Sequence, residues 1–303
     1  MTMQNLKAKI LVTGATGQSG SMVIREFIRQ EIPVRVLVRD REKARKFEGY
    51  PYIEIVEGNM LQPDTLQAAF EGVEKTLLIS TAFEKMLETQ LSFIDAAKTA
   101  GIPHVIKFSG AEAGIGFNTC NFKPGVDHGK IEDHLIDSGL QWTILRPSQF
   151  MQLYLPGAHS GVNLKKNALI LPLGNSMNTP VAIEDIAKVC VKLLTQPGHE
   201  GRFYEMTGPD AMTMHDVCTI ITEVTGRKIT YWQIDIEEHQ ANYLKAGMPP
   251  AVVQMLIAQV KEKIKCRESY VKLDTHKRLG IRPTGFAEFI YRHSATFAAA
   301  PHP

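Results

Sequence analysis

Apolar positions fall into two rhythms along the first 150 residues. Short apolar runs at 8–13 (AKILVT), 34–38 (VRVLV), 53–57, 76–80 (TLLIS), 104–109 (HVIKFS) and 142–145 have the length and β-branched content of buried strands. Between them the apolar residues stand four apart. Val23/Phe27 and Ile24/Ile28 mark a helix over 18–30, and further helices are predicted over 41–48, 64–71, 84–100 and 128–138. Gly72 ends the helix over 64–71. Strands separated by helices of this length pair in parallel through crossovers. The expected fold is therefore α/β, a doubly wound (Rossmann) parallel sheet.

After Pro147 the pattern loosens. Residues 151–178 are rich in Gly, Asn and Pro and read as loops with short strands. One more helix is predicted over 184–195 and one more strand over 201–207. From 213 the chain reads as mainly helical, with a strand at 228–234. The predicted organisation is a nucleotide-binding domain of 1–150 plus 179–208. A smaller, mainly helical substrate lobe takes 151–178 plus 209–303.

Composition narrows the function classes. Lys and Arg number 34 against 32 Asp and Glu, a net charge of +2. So weak a field argues against nucleic acid or a membrane surface as partner. No apolar run approaches the ~18 residues of a membrane span. The four cysteines (Cys120, Cys190, Cys218, Cys266) are far apart and lack zinc spacing, which points to a reducing, cytoplasmic setting without a metal site. HExxH, Walker and GxSxG motifs do not occur.

The sharpest motif is Gly14-Ala15-Thr16-Gly17-Gln18-Ser19-Gly20, which follows the first strand and opens the first helix. Gly14 suits a tight turn, Gly17 a close approach of backbone to pyrophosphate, and Gly20 the pressing of helix on sheet. The helix start adds N–H donors and a positive dipole end. These residues predict dinucleotide binding. At the end of the second strand, where NAD sites carry an acid, stands Arg39, followed by Asp40. Arg39, with Lys43 four residues on, suits a 2′-phosphate and favours NADP(H) over NAD(H). The other basic residues of 35–46 read as a solvated face.

GATGQSG, Arg39, the stretch His128-Gly129-Lys130-Ile131-Glu132 and the later Trp142–Pro147 (WTILRP) and 179–187 (TPVAIEDIA) together resemble the NmrA-like group of atypical short-chain dehydrogenases. The resemblance runs over roughly 8–293. That group includes NADPH-dependent quinone, azo-dye and triphenylmethane-dye reductases, and also non-catalytic NADP(H)-binding regulators. By the resemblance, Asn59 and Met60 would border the adenine. Ser80, Thr81, Ala82, Ser109, Pro147 and Phe150 would line the nicotinamide half, in keeping with the rule that ligands sit beyond the carboxyl ends of the strands.

None of the eight tyrosines has a lysine four residues later, so the Tyr-x-x-x-Lys pair used for ketone reduction is absent. Lys130 and His134 should share one face of their helix, beside a buried Ile131 and Leu135. The resemblance makes Lys130 a ribose ligand and candidate acid. His128 and His134 are candidate proton donors. The apolar run around Met248–Ile257, with Trp232 and Tyr243, reads as core, and the resemblance implies that part of it covers a substrate. The resulting expectation is hydride transfer from NADPH to a small aromatic or quinone-like acceptor, with a homodimer compatible. A redox sensor acting through protein partners is the alternative.

Overall fold

The six apolar runs of the first half become adjacent strands. In a computed structural model describing residues 8–81, 85–110, 122–265 and 269–298, they are β1 (Ile10–Val12), β2 (Val34–Val38), β3 (Ile53–Glu57), β4 (Lys75–Leu78), β5 (His104–Phe108) and β6 (Gln141–Pro147). Three more follow, β7 (Ala168–Leu171), β8 (Arg202–Met206) and β9 (Thr230–Gln233). Seven form one sheet in the order β3-β2-β1-β4-β5-β6-β8. The pairs from β3 to β6 are parallel, with Val12 opposite both Val36 and Leu77, and Ile106 opposite both Leu77 and Thr143. The order reverses between β1 and β4. Loops leaving there diverge, which opens a crevice beyond the carboxyl ends of the strands.

The helices follow from their apolar faces. α1 (Gln18–Arg29) buries Val23, Ile24 and Phe27, as the four-residue spacing requires. α2 (Gln67–Phe70), α3 (Met86–Thr99) and α4 (Lys123–Asp137) pack with the sheet around Leu11, Leu78, Phe93, Val105, Ile131 and Leu135. α5 (Ile183–Thr195) has its first turn enriched in acid, Glu184 and Asp185, which suits a helix start.

Four local readings need correction. α4 starts at Lys123, five residues before the predicted 128. Pro124 and Gly125 look like breakers, but proline in a first turn lacks only an N–H that has no helical partner there. The predicted helix over 41–48 is a 3-10 segment, Arg41–Phe47, and 64–71 is a 3-10 turn, Pro63–Leu66, running into α2. Arg35, grouped with the solvated basic residues, is buried on β2. Its guanidinium donates to the carbonyls of Ala68, Ala69 and Glu71 at 3.2, 2.9 and 2.8 Å and pairs with Glu54 at 3.0 Å. It thereby satisfies the open C-terminal carbonyls of α2.

The chain divides into two compact units. The first comprises the chain up to the end of β5, Pro124–Arg146 and Glu184–Tyr204. The second comprises Pro147–Ile183 and the chain from Glu205. In the second unit β7 and β9 pair in parallel, Ile170 opposite Trp232. The helices there are α6 (Met214–Thr225), α7 (Ile236–Lys245), α8 (Pro250–Lys265), α9 (Asp274–Arg278) and α10 (Phe286–Arg292). Thr213 and Asp216 form a reciprocal capping box at the start of α6. Met151, Tyr154, Leu169, Val217, Phe286 and Phe289 lie in its main core. The apolar run around 248–257 joins Tyr243 in a small cluster of its own, with Val253 and Ile257 buried and Met248 and Leu256 against them. Among the described residues no helix is long and apolar enough to cross a membrane.

Candidate functional site

The loop after β1 is held by backbone and by one threonine. Gly14 has φ +62°, a left-handed conformation that glycine adopts without strain. The Gly17 amide donates to the Gly14 carbonyl at 3.0 Å, closing the turn. Thr13, fully buried, bridges the last residue of the β1 run to the extension of β4. Its hydroxyl donates to the Ile79 carbonyl at 2.7 Å and accepts from the Ile79 amide at 2.8 Å. Sequence reasoning passed over Thr13. The available signal is a lone polar residue between an apolar strand and a glycine turn.

The three glycines differ in what demands them. A Cβ on Gly14 would stand 2.8 Å from the Ile79 carbonyl oxygen, and one on Gly20 only 2.1 Å from the Gly14 carbonyl oxygen. At Gly17 the nearest atom would be 3.4 Å away, an ordinary contact. The fold thus requires glycine at 14 and 20 but not at 17. Gly17 is also the N-cap of α1 and offers no side-chain cap, so the first-turn amides are left without a side-chain acceptor. No acidic residue occupies that turn, and Thr16, Gly17 and Gln18 are exposed, with Ser19 half-buried.

At the end of β2, Arg39 is exposed and has no hydrogen bond or ion pair among the described residues. The Asp40 carboxylate beside it is engaged, accepting the Glu42 amide at 3.0 Å as cap of the 3-10 segment. Within that segment Lys43 is exposed, Arg45 pairs with Glu42 at 2.8 Å, and Lys46 donates to the Ser21 hydroxyl at 3.0 Å. Beyond β3, Asn59 builds a turn: its side-chain oxygen accepts the Leu61 amide at 3.1 Å. Met60 packs against the core.

Beyond β4, the Ser80 hydroxyl accepts from Gln90 of α3 at 2.8 Å and donates to the Thr81 carbonyl at 3.1 Å. The other amide atom of Gln90, its Oε1, is buried without a hydrogen-bond partner among the described residues. Ala82 lies outside the described residues. Beyond β5, Ser109 is buried and donates to Glu132 of α4, which also holds Arg146 of β6 in an ion pair. Lys107, on β5, is fully buried with its Nζ 3.0 Å from His128 Nδ1. Gln90, Lys107, Glu132 and Arg146 were not singled out from the sequence, although Lys107 and Ser109 stand two apart in a strand, the spacing of one face. Pro147 ends β6 and Phe150 bridges to Val181, both in the second unit.

Among the described residues Lys130 and His134 are not hydrogen-bonded to each other. Ile131 and Leu135 are buried as expected, and Lys130 is exposed without a partner among the described residues. His134 instead turns to α3, its Nε2 2.7 Å from Asp95. Asp95 is nine residues into α3, about 13 Å along a helix that leaves the carboxyl ends of the strands. The hydrogen bond joins two helices and directs His134 away from those ends.

The sequence that folds into this sheet and loop matches the NmrA-like family over residues 6–290. The chain belongs to the NmrA-like family. It is 32% identical to an NAD(P)H azoreductase of Xenophilus azovorans, over 96% of this chain and all of that protein. It is 29% identical to quinone oxidoreductase 2 of Escherichia coli (strain K12), over 82% of this chain and 85% of that one. Among solved structures, a Citrobacter triphenylmethane reductase complexed with NADP(H) superposes with a TM-score of 0.83 at 25% identity, over 94% of this chain and 99% of that one. The family member NmrA, a negative transcriptional regulator, shares the fold at 17% identity.

Among the described residues, no three His, Cys, Asp or Glu side chains converge as metal ligands. Cys190 and Cys218 are buried free thiols, and burial pushes the Cys218 thiol up to about 11. The second unit has its own cleft of about 580 Å³ where β7 and β9 end, lined by Pro172, Gly174, Ser176, Gln233, Asp235 and Ile264 among others. Asp235 is engaged there as the cap of α7.

Proposed function

We propose that this NmrA-like protein is an NADPH-dependent reductase of a planar conjugated acceptor, a quinone or an azo compound. The carrying observation is the pairing of an uncapped α1 start at Gly17 with an unpartnered Arg39 at the end of the adjacent strand. The first-turn amides and the dipole of α1 suit a pyrophosphate. Gly17 leaves room for it that no contact within the fold requires. Arg39 suits the 2′-phosphate, and the Asp40 carboxylate beside it is turned to the 3-10 cap. Relatives named as azoreductase and quinone oxidoreductase, and the NADP(H) complex of the triphenylmethane reductase, support the same reading.

The residues present fit a dinucleotide along the strand ends. Asn59 and Met60 would border the adenine, and Ser80, Thr81 and Ser109 the nicotinamide half. Lys130, exposed and unpaired among the described residues, is assigned to the nicotinamide ribose. His134, held by Asp95, has no part in the reaction. When bound, the reduced nicotinamide supplies a hydride, and the protein supplies alignment and exclusion of water. Without a Tyr-x-x-x-Lys pair the chain lacks the usual acid for ketones, which favours acceptors already activated by conjugation.

The test is anaerobic NADPH oxidation with small quinones, azo dyes, cationic triphenylmethane dyes and simple ketones, with NADH in parallel. Turnover of a conjugated acceptor, faster with NADPH and absent with ketones, is expected. Tight NADPH binding without oxidation of any acceptor would select the sensor instead, and preference for a ketone would overturn the acceptor class.

A further inference from the structure

Under the carboxyl end of β5 lies a buried polar network of which the reading above uses only Ser109. Lys107 Nζ has His128 as its one hydrogen-bond partner among the described residues. Two residues on, Ser109 donates to Glu132, which is four residues after His128. A strand advances about 6.6 Å in two residues and a helix about 6 Å in four, so the two pairs face each other across the β5–α4 contact.

A buried ammonium with one acceptor is poorly solvated. The charged groups acting on Lys107 are Glu132 of α4, which favours the ammonium, and Arg146 of β6, which opposes it. Burial outweighs both and pushes the amine down to about 7. Burial and the neighbouring Lys107 hold the His128 imidazole well below its ordinary range, so it is neutral at neutral pH. With Nδ1 accepting from the Lys107 ammonium, its own proton sits on Nε2, which has no hydrogen-bond partner among the described residues. As a residue His128 is half-buried where Lys107 is wholly buried, so it is the outer member of the pair.

We propose that Lys107 and His128 form a proton relay that completes reduction of the acceptor, His128 giving the proton and Lys107 standing behind it as the reservoir. This rests on the reductase reading. A quinone or azo acceptor gains two electrons as a hydride from the reduced nicotinamide and needs one proton. The Nε2–H bond of His128 breaks toward the acceptor oxygen or nitrogen while an Nδ1–H bond forms. The proton for Nδ1 comes from the Lys107 ammonium, which is left a neutral amine and regains a proton from solvent by the reverse path. His128 is thus the catalytic residue, and Lys107 a positioning residue that acts through it.

A cationic triphenylmethane dye separates this from a structural role, because hydride addition alone neutralises its carbocation and no proton is consumed. In Lys107→Met the loss of kcat toward a quinone should exceed the loss toward the dye by about tenfold or more. Wild-type kcat for the quinone should fall as pH rises through about 7, and that limb should vanish in the variant. Equal losses toward both acceptors, or an unchanged limb, overturn the relay while leaving the reductase standing. A wild-type protein that turns over no acceptor overturns both. If the dye is not a substrate, the pH limb decides. Nitrogen-15 NMR of the imidazole in the free protein gives a readout without turnover. An Nε2–H tautomer of His128 that is lost in Lys107→Met is expected, and an Nδ1–H tautomer in the wild type rules the relay out. Where Lys107→Met does not fold, His128→Asn replaces it in the quinone pH profile, with the same limb lost.

Discussion

A Cβ added to Gly20 would meet a backbone oxygen at 2.1 Å, and one added to Gly17 would meet nothing closer than 3.4 Å. Gly20→Ala should therefore cost stability, on the order of 1–3 kcal/mol or more, because the clash is with backbone that cannot rotate away. Gly17→Ala should change stability by under about 1 kcal/mol, the scale of an altered helix cap. Yet it should weaken NADPH by about tenfold or more, since the methyl occupies the approach of the pyrophosphate. Thermal unfolding and fluorescence titration read the two effects, and wild-type NADPH affinity in Gly17→Ala would remove the close-approach argument. The glycine triplet was legible in the sequence because residue type alone encodes it. Lys107 and Glu132 were not, since nothing local distinguishes a buried lysine from the exposed Lys130 or the surface majority. Their roles exist only once β5 and α4 are laid together.

At the scale of elements, the bounds of β2 and β3 are those the apolar runs predict, because both strands are short, β-branched and flanked by turn residues. The start of α4 escaped, since Pro124 and Gly125 argue locally for a loop while tertiary packing of Ile131 and Leu135 carries the helix. The junction of β2 with its 3-10 segment holds the cofactor preference. The strand sets Arg39 at its end, and the turn engages Asp40. Arg39→Asp should weaken NADPH relative to NADH by about 1–3 kcal/mol, which is roughly five- to 150-fold. Comparison of kcat/KM for the two dinucleotides measures it, and an unchanged ratio would move the 2′-phosphate elsewhere.

For the whole molecule, two buried histidines make stability fall in acid. Burial, with Lys75 adding to it, pushes the His104 imidazole down to about 4, and burial with His159 does the same to His239. In the unfolded chain both titrate near the ordinary value, roughly 6.5. Between those values the unfolded state binds more protons than the folded one, so stability falls as pH drops from about 6.5 towards 4. Each histidine contributes at most on the order of 3 kcal/mol to that fall. Lys107, pushed down to about 7, acts in the same direction at higher pH, where stability rises with pH until the ordinary lysine range. Urea midpoints across acid pH should show the loss, and His104→Gln should flatten it. A flat profile would mean that these imidazoles are solvated. Both β6 and β8 run from one compact unit into the other.

The two hydrogen bonds between Thr13 and Ile79 have a thermodynamic consequence. They fix the end of β1 to the extension of β4 where the sheet reverses, and Gly14 and Gly20 lock the turn between them. The shape of the loop is settled when the chain folds, not when a dinucleotide arrives. Little chain entropy is then lost on association, and the interaction energy of the phosphates is left over for holding the reactive ring in place.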